Sequence, residues 1–259
     1  MSDFDRNYAA AQRGVGADRA VEIDQGLRTY MISVYNYMAI GVALTGVAAW
    51  LAFQLAGGDA IRITPRGITG ATEFGQMLYS TPGMIVMLIG TFGLVMLISF
   101  MIDRLSPALA FGLFMLYAAL LGVMLSTIFI QYTGTSITRV FFISAASFAA
   151  LSLYGYTTKR DLSPIGAFLI MGLIGLFIAM IVNMFMQSGT LYLIISGLGV
   201  LIFSGLIAYD TQRLKMTYYA LGGDKAAMGV ATGFGALSLF INFVNLFQFL
   251  LAFMGGNRN

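Results

Sequence analysis

The chain has 259 residues, 59% hydrophobic and only 10% charged, with a formal net charge of +3. Soluble domains carry roughly 25% charged residues, so a soluble globular fold is not expected, and the scattered basic residues form no stripe suited to a nucleic acid. Cys and His are both absent, which removes thiol and imidazole chemistry, disulfides, the Ser–His protease arrangement and histidine zinc sites.

Between Arg28 and Arg258 six long runs contain no charged residue: 29–58, 74–102, 105–138, 140–158, 162–209 and 226–257. A helix needs roughly 20 apolar residues to cross a bilayer core. The run 162–209 holds two such lengths, separated by Gln187-Ser188-Gly189-Thr190. The chain therefore reads as all-α: a polytopic membrane protein with seven transmembrane helices within 29–256, preceded by a polar tail, 1–28. No signal peptide is expected, because the first apolar run is too long and lacks a cleavage site after it.

The first span, 29–56, carries Tyr30, Tyr35 and Tyr37 at one end and Trp50 near the other, and such rings favour the headgroup level. A loop follows from Gly57 to about Thr81. The second span, 83–102, ends at Asp103-Arg104, and the third, 106–130, follows so closely that the two should be antiparallel neighbours. Tyr132-Thr133-Gly134 is the next turn. The fourth span, 139–157, ends at Thr158-Lys159-Arg160-Asp161. The fifth opens at Pro164, a residue suited to a first helical turn. The sixth covers 191–210 with a polar continuation toward Tyr219, and the seventh covers 228–254. Lys and Arg resist translocation. With the N-terminus cytoplasmic, ten of the 14 basic residues fall on that side. A six-span version with a re-entrant last segment would move only Arg258 and fits the charge count as well.

Few polar residues lie in the spans. Asp210 ends the longest uncharged run, at the headgroup level or somewhat inside it. An intramembrane carboxylate marks an ion path, a proton relay or a paired structural charge; its plain alternative is a helix-end acid paired with Arg213 one turn on. Asn242, Asn245 and Gln248 recur every three residues and so share a helix face, which should turn inward and bond to neighbouring helices. Asn36 and Asn183 read the same way. Gly229-x-x-x-Gly233 has the spacing of close helix packing, and the 17 Met residues read as adaptable filler. Gly222-Gly223-Asp224-Lys225 lacks the first glycine and the hydroxyl of a P-loop.

The strings 154–163 (Tyr-Gly-Tyr-Thr-Thr-Lys-Arg-Asp-Leu-Ser) and 208–215 (Ala-Tyr-Asp-Thr-Gln-Arg-Leu-Lys) resemble the bacterial branch of the Bax inhibitor-1 family. Segments 114–120, 235–239 and 245–247 support the likeness, which runs from about Gly26 to Gly256. The resemblance implies a seven-helix inner-membrane protein, similar to pH-sensitive calcium leak channels, with some bacterial relatives linked to a membrane-bound AAA protease. It also implies a sensor made of two facing aspartates on the sixth and seventh helices. Asp210 matches the first, but Asn242 occupies the second position. Two close carboxylates titrate as a unit, whereas a carboxamide has no proton to share. Asn242 is expected to donate permanently to Asp210 and so weaken pH sensing.

By the same resemblance Arg104 is carried over as the basic residue near the end of the second helix that exchanges contacts with the first aspartate. Asp210, Asn242, Arg104 and Asn245 are thus the candidate ion-pathway and pH-sensing residues. Calcium prefers six to eight oxygens, so Asp210 offers only a weak, transient calcium site, and no other cofactor is expected. The implied partners are the lipid bilayer, calcium ions and a membrane-bound AAA protease. Two alternatives compete: a non-conducting modulator of such a protease or other membrane complex, and an intramembrane aspartyl protease, whose signature Tyr209-Asp210 half resembles. Proteolysis needs a second carboxyl, and Gly222-Gly223-Asp224 lies in the polar connection, so no enzymatic activity is expected.

Overall fold

The computed structural model describes residues 3–64, 67–101, 105–221 and 224–256. In chain order they form α1 (Asp3–Leu55), a hairpin of β1 (Arg62–Thr64) and β2 (Gly67–Thr69), α2 (Glu73–Leu78), α3 (Thr81–Phe100), α4 (Pro107–Leu125), α5 (Ile128–Gln131), α6 (Gly134–Thr157), α7 (Ser163–Met186), α8 (Gly189–Leu221) and α9 (Lys225–Met254). Seven segments among the described residues are long and apolar enough to cross a membrane: Gln25–Leu55 of α1, α3, α4 with α5, α6, α7, α8, and Ala226–Met254 of α9. The last is an unbroken helix rather than a re-entrant one.

Local chemistry sets the boundaries. Proline cannot donate an amide proton and costs nothing in a first turn; α3, α4 and α7 each begin with one. Ser80, Ser106 and Thr133 cap α3, α4 and α6 by accepting the N–H groups of Gly83, Leu109 and Ser136, and Asp224 caps α9 through Ala226 and Ala227. The long uncharged run breaks where expected: Gln187 adopts a left-handed backbone, φ 49°, and α8 starts two residues later.

The connection 57–81, expected as plain loop, differs. Its strands pair antiparallel with Arg62 opposite Thr69 and Ile63 opposite Ile68. Gly70 turns the chain back with φ 75°, and Thr72 caps the short α2. These elements cover the end of the bundle where α1 stops and α3 starts.

Helix α9 is the centre of the bundle, against α8, α1, α4 and α6, while α7 leans on α8 and α3 on α4. The most apolar windows of α3 and α7 are each only 17% buried, against 44% for α9. Such outward apolar faces suit lipid, which imposes no penalty on them. The middle is packed by fully buried Phe114, Phe240, Leu239, Leu246 and Ile207, with Phe114 edge-on to Phe240 at 5.4 Å between centroids.

Candidate functional site

Helix α8 continues to Leu221, so Asp210 stands eleven residues before its end, about 16 Å along the axis. It is therefore a mid-helix acid, 6% exposed, and Asn242 opposite is also 6% exposed. The short connection between α8 and α9 makes the two helices antiparallel neighbours, and their registers bring these side chains together. Asn242 Nδ2 donates to Asp210 Oδ2 at 2.7 Å. The amide presents its nitrogen, and the carboxyl oxygen accepts.

Ser238 stands one turn before Asn242 on the same face of α9 and donates its hydroxyl to the same Oδ2 at 2.5 Å. Sequence reasoning missed Ser238, although its four-residue spacing from Asn242 was the available signal. Arg213, one turn along α8, places Nη2 3.3 Å from Asp210 Oδ1 and donates to Ser238 Oγ at 3.3 Å. The paired alternative and the inter-helix alternative for Asp210 thus coexist in one cluster.

The neighbouring residue faces the other way. Thr211 gives its only hydroxyl proton to Ile207 O at 2.8 Å, so it accepts from Ser152 of α6 at 3.0 Å. Ser152, having donated, accepts from Tyr35 of α1 at 2.6 Å. This chain of hydroxyls ties α1, α6 and α8 in a single direction and ends on a carbonyl. Close approach allows it: a Cβ on Gly155 would overlap the backbone carbonyl of Ala208.

The two strings that carry the family resemblance also meet in space. Gln212 accepts the Leu162 N–H at 2.8 Å through Oε1 and donates to Arg160 O at 2.8 Å through Nε2. Lys215 donates to Tyr156 O at 3.3 Å. In the α6–α7 connection, hydrogen bonds from Ser163, led by its backbone N–H, hold the Asp161 carboxyl below its usual range.

Two cavities approach this region from opposite ends of the bundle. The larger, about 940 Å³, lies among α3, α4, α8 and α9 and is lined by Val95, Ser106, Arg213, Thr217, Ser238 and Ile241. The smaller, about 440 Å³, is lined by carboxamides and hydroxyls that include Gln131, Asn183, Tyr192, Ser196, Asn245 and Gln248. Ile241 and Asn245 are one turn apart on α9, about 6 Å.

Of the four candidate residues, Asp210 and Asn242 come together. Asn245 does not join them; its Nδ2 donates to Ile241 O on its own helix at 2.8 Å, and the side chain lines the smaller cavity. Arg104 lies outside the described residues; among those described, Arg213 is the cation beside Asp210. No group of three or more His, Cys, Asp or Glu is found among the described residues.

A family model described as inhibitor of apoptosis-promoting Bax1 matches residues 27–259. An uncharacterized protein of Caulobacter vibrioides is 47% identical over 259 residues, covering 100% of both chains. The inner membrane protein YbhL of Escherichia coli strain K12 is 40% identical, over 93% of this chain and 97% of its own length. An uncharacterized membrane protein of Streptococcus pyogenes is 35% identical, over 90% of this chain and 95% of its own.

Proposed function

The chain belongs to the Bax inhibitor-1 family, and from that premise we propose that it is a multi-pass inner-membrane protein that leaks calcium through the α8–α9 site. In this reading its N-terminus is cytoplasmic, as the distribution of Lys and Arg favours. The observation that carries the proposal is the pair of cavities that reach adjacent turns of α9 from opposite ends, at Ile241 and Asn245. The buried Asp210 stands beside the floor of the larger one. A buried carboxylate at that depth is costly without a role in charge passage or pairing.

Proton control of this leak is weak. Among the described residues, the groups facing Asp210 are Ser238 and Asn242 from α9 and Arg213 from α8. Ser238 and Asn242 offer only a hydroxyl and a carboxamide, so neither is a second carboxyl that could share a proton with Asp210. Asn242 acts as a permanently donating stand-in for a protonated aspartic acid. Hydrolysis is disfavoured by the same substitution, since a two-carboxyl mechanism lacks its second group here.

A second reading has one observation in its favour. Asp210 already accepts from three side chains of its own protein, which suits a non-conducting modulator of a membrane protease. Calcium entry into proteoliposomes containing only the purified protein separates the two. A leak above that of protein-free vesicles, lost in Asp210→Asn, supports conduction. No leak from correctly folded protein refutes it and leaves the modulator.

A further inference from the structure

The smaller cavity, about 440 Å³, is polar without being charged: among the described residues that line it there is no Asp, Glu, Lys or Arg. Its side chains carry unspent hydrogen-bonding capacity instead. Asn183 on α7 accepts the Ser188 N–H through Oδ1 at 3.1 Å, which leaves its Nδ2 to donate. Asn245 on α9 is the reverse, since its Nδ2 bonds Ile241 O and its Oδ1 is left to accept. Ser196 on α8 gives its proton to Tyr192 O at 2.8 Å, so its oxygen is left only to accept. Gln248, three residues beyond Asn245, makes no side-chain hydrogen bond among the described residues.

The backbone beside the cavity is irregular as well. Between α4 and α5 the bonds step back three residues instead of four, from Ser126 to Val123, Phe129 to Ser126 and Ile130 to Thr127, at 3.1–3.2 Å. Within a membrane span, irregular backbone is tolerated where it is buried in protein or lines a polar cavity. Met124, Thr127 and Ile128 of this break line the cavity. Tyr79 meets Ser126 at 3.0 Å, which straps the break to the connection before α3.

We propose that this cavity is a binding site for a small uncharged molecule with an amide group on an apolar body. An amide both donates and accepts, and the wall offers the complement: donors from Asn183 and Gln248, acceptors from Asn245 and Ser196. Met180, Ile195 and Phe249 line the same space and supply contacts for the apolar body. A carboxylate or ammonium of the same shape is rejected, because a charge that leaves water without a countercharge is heavily penalised. A sugar matches poorly, since its many hydroxyls would face thioethers and hydrocarbon. The site lies on the route assigned above to calcium, but its occupancy is read without flux and stands whether or not calcium passes.

Fluorine NMR of the detergent-purified full chain tests this, with para-fluorobenzamide as the probe. Its saturable line broadening is compared with that of para-fluorobenzoate, which carries a charged head, and of para-fluoroacetophenone, which keeps the carbonyl but has no N–H. The amide is expected to bind about tenfold more tightly than either, or better. Gln248→Met, of similar shape, and Asn245→Leu are each expected to weaken the amide about tenfold. Thr217→Val, in the larger cavity, is expected to leave it unchanged. Broadening that never saturates, as in empty micelles, overturns the proposal. So does equal binding of the benzoate, or amide binding that folded Gln248→Met and Asn245→Leu proteins retain in full. No amide binding beside an intact calcium leak rejects this site alone, and amide binding without a leak rejects conduction alone.

Discussion

Asp210 and Thr211 are consecutive on α8, yet they serve two unlike networks. On the α9 side a carboxylate is held by an amide, a hydroxyl and a guanidinium. On the α6 side a run of neutral hydroxyls from Tyr35 through Ser152 to Thr211 closes on a carbonyl. In the second network every proton is assigned and nothing is left to bind; it fastens helices. In the first, the contact to Oδ1 among the described residues is one guanidinium nitrogen at 3.3 Å, beside a cavity. The two clusters differ in closure more than in burial, since members of both are deeply buried.

Gly155→Leu attacks the fastening side hardest. Its side chain would meet the immovable backbone carbonyl of Ala208, so we expect a loss of about 3 kcal/mol, seen as low yield and a much lowered unfolding temperature in detergent. Asn242→Leu comes next, with an expected loss of about 2 kcal/mol, because a buried carboxylate loses its inter-helix amide donor. Ser152→Ala is milder, about 1 kcal/mol, since a neutral hydroxyl pair is easier to abandon. The contrast is sharpened if Ser152→Ala lowers stability while leaving calcium entry per folded molecule unchanged. It is broken if Ser152→Ala changes calcium entry as much as Asp210→Asn does.

Much of this architecture was legible because bilayer thickness imposes a length on every span. Uncharged runs gave the seven helices, and Gln187-Ser188 gave the break between α7 and α8. The hairpin at 62–69 was not legible: three-residue strands are too short for periodicity to register. Asp210 was visible as a lone acid, and its meeting with Asn242 followed from the family pattern, since helix register alone does not say which faces touch. Ser238 escaped because serine is common in membrane helices as a bond to its own backbone, and only its alignment with Asn242 gives it another role. The polar continuation of α8 toward Tyr219 was anticipated, and the helix runs on to Leu221, so Asp210 lies within it.

The central claim is that a carboxamide has replaced half of a proton-sharing pair. Calcium entry into proteoliposomes, compared for the natural protein and Asn242→Asp between about pH 6 and pH 8, tests it most directly. With two carboxyls, one pKa is raised, so Asn242→Asp should leak more as pH rises and the two charges begin to repel, while the natural protein stays nearly flat. A steep pH response in the natural protein, left unchanged by Asn242→Asp, would contradict the account.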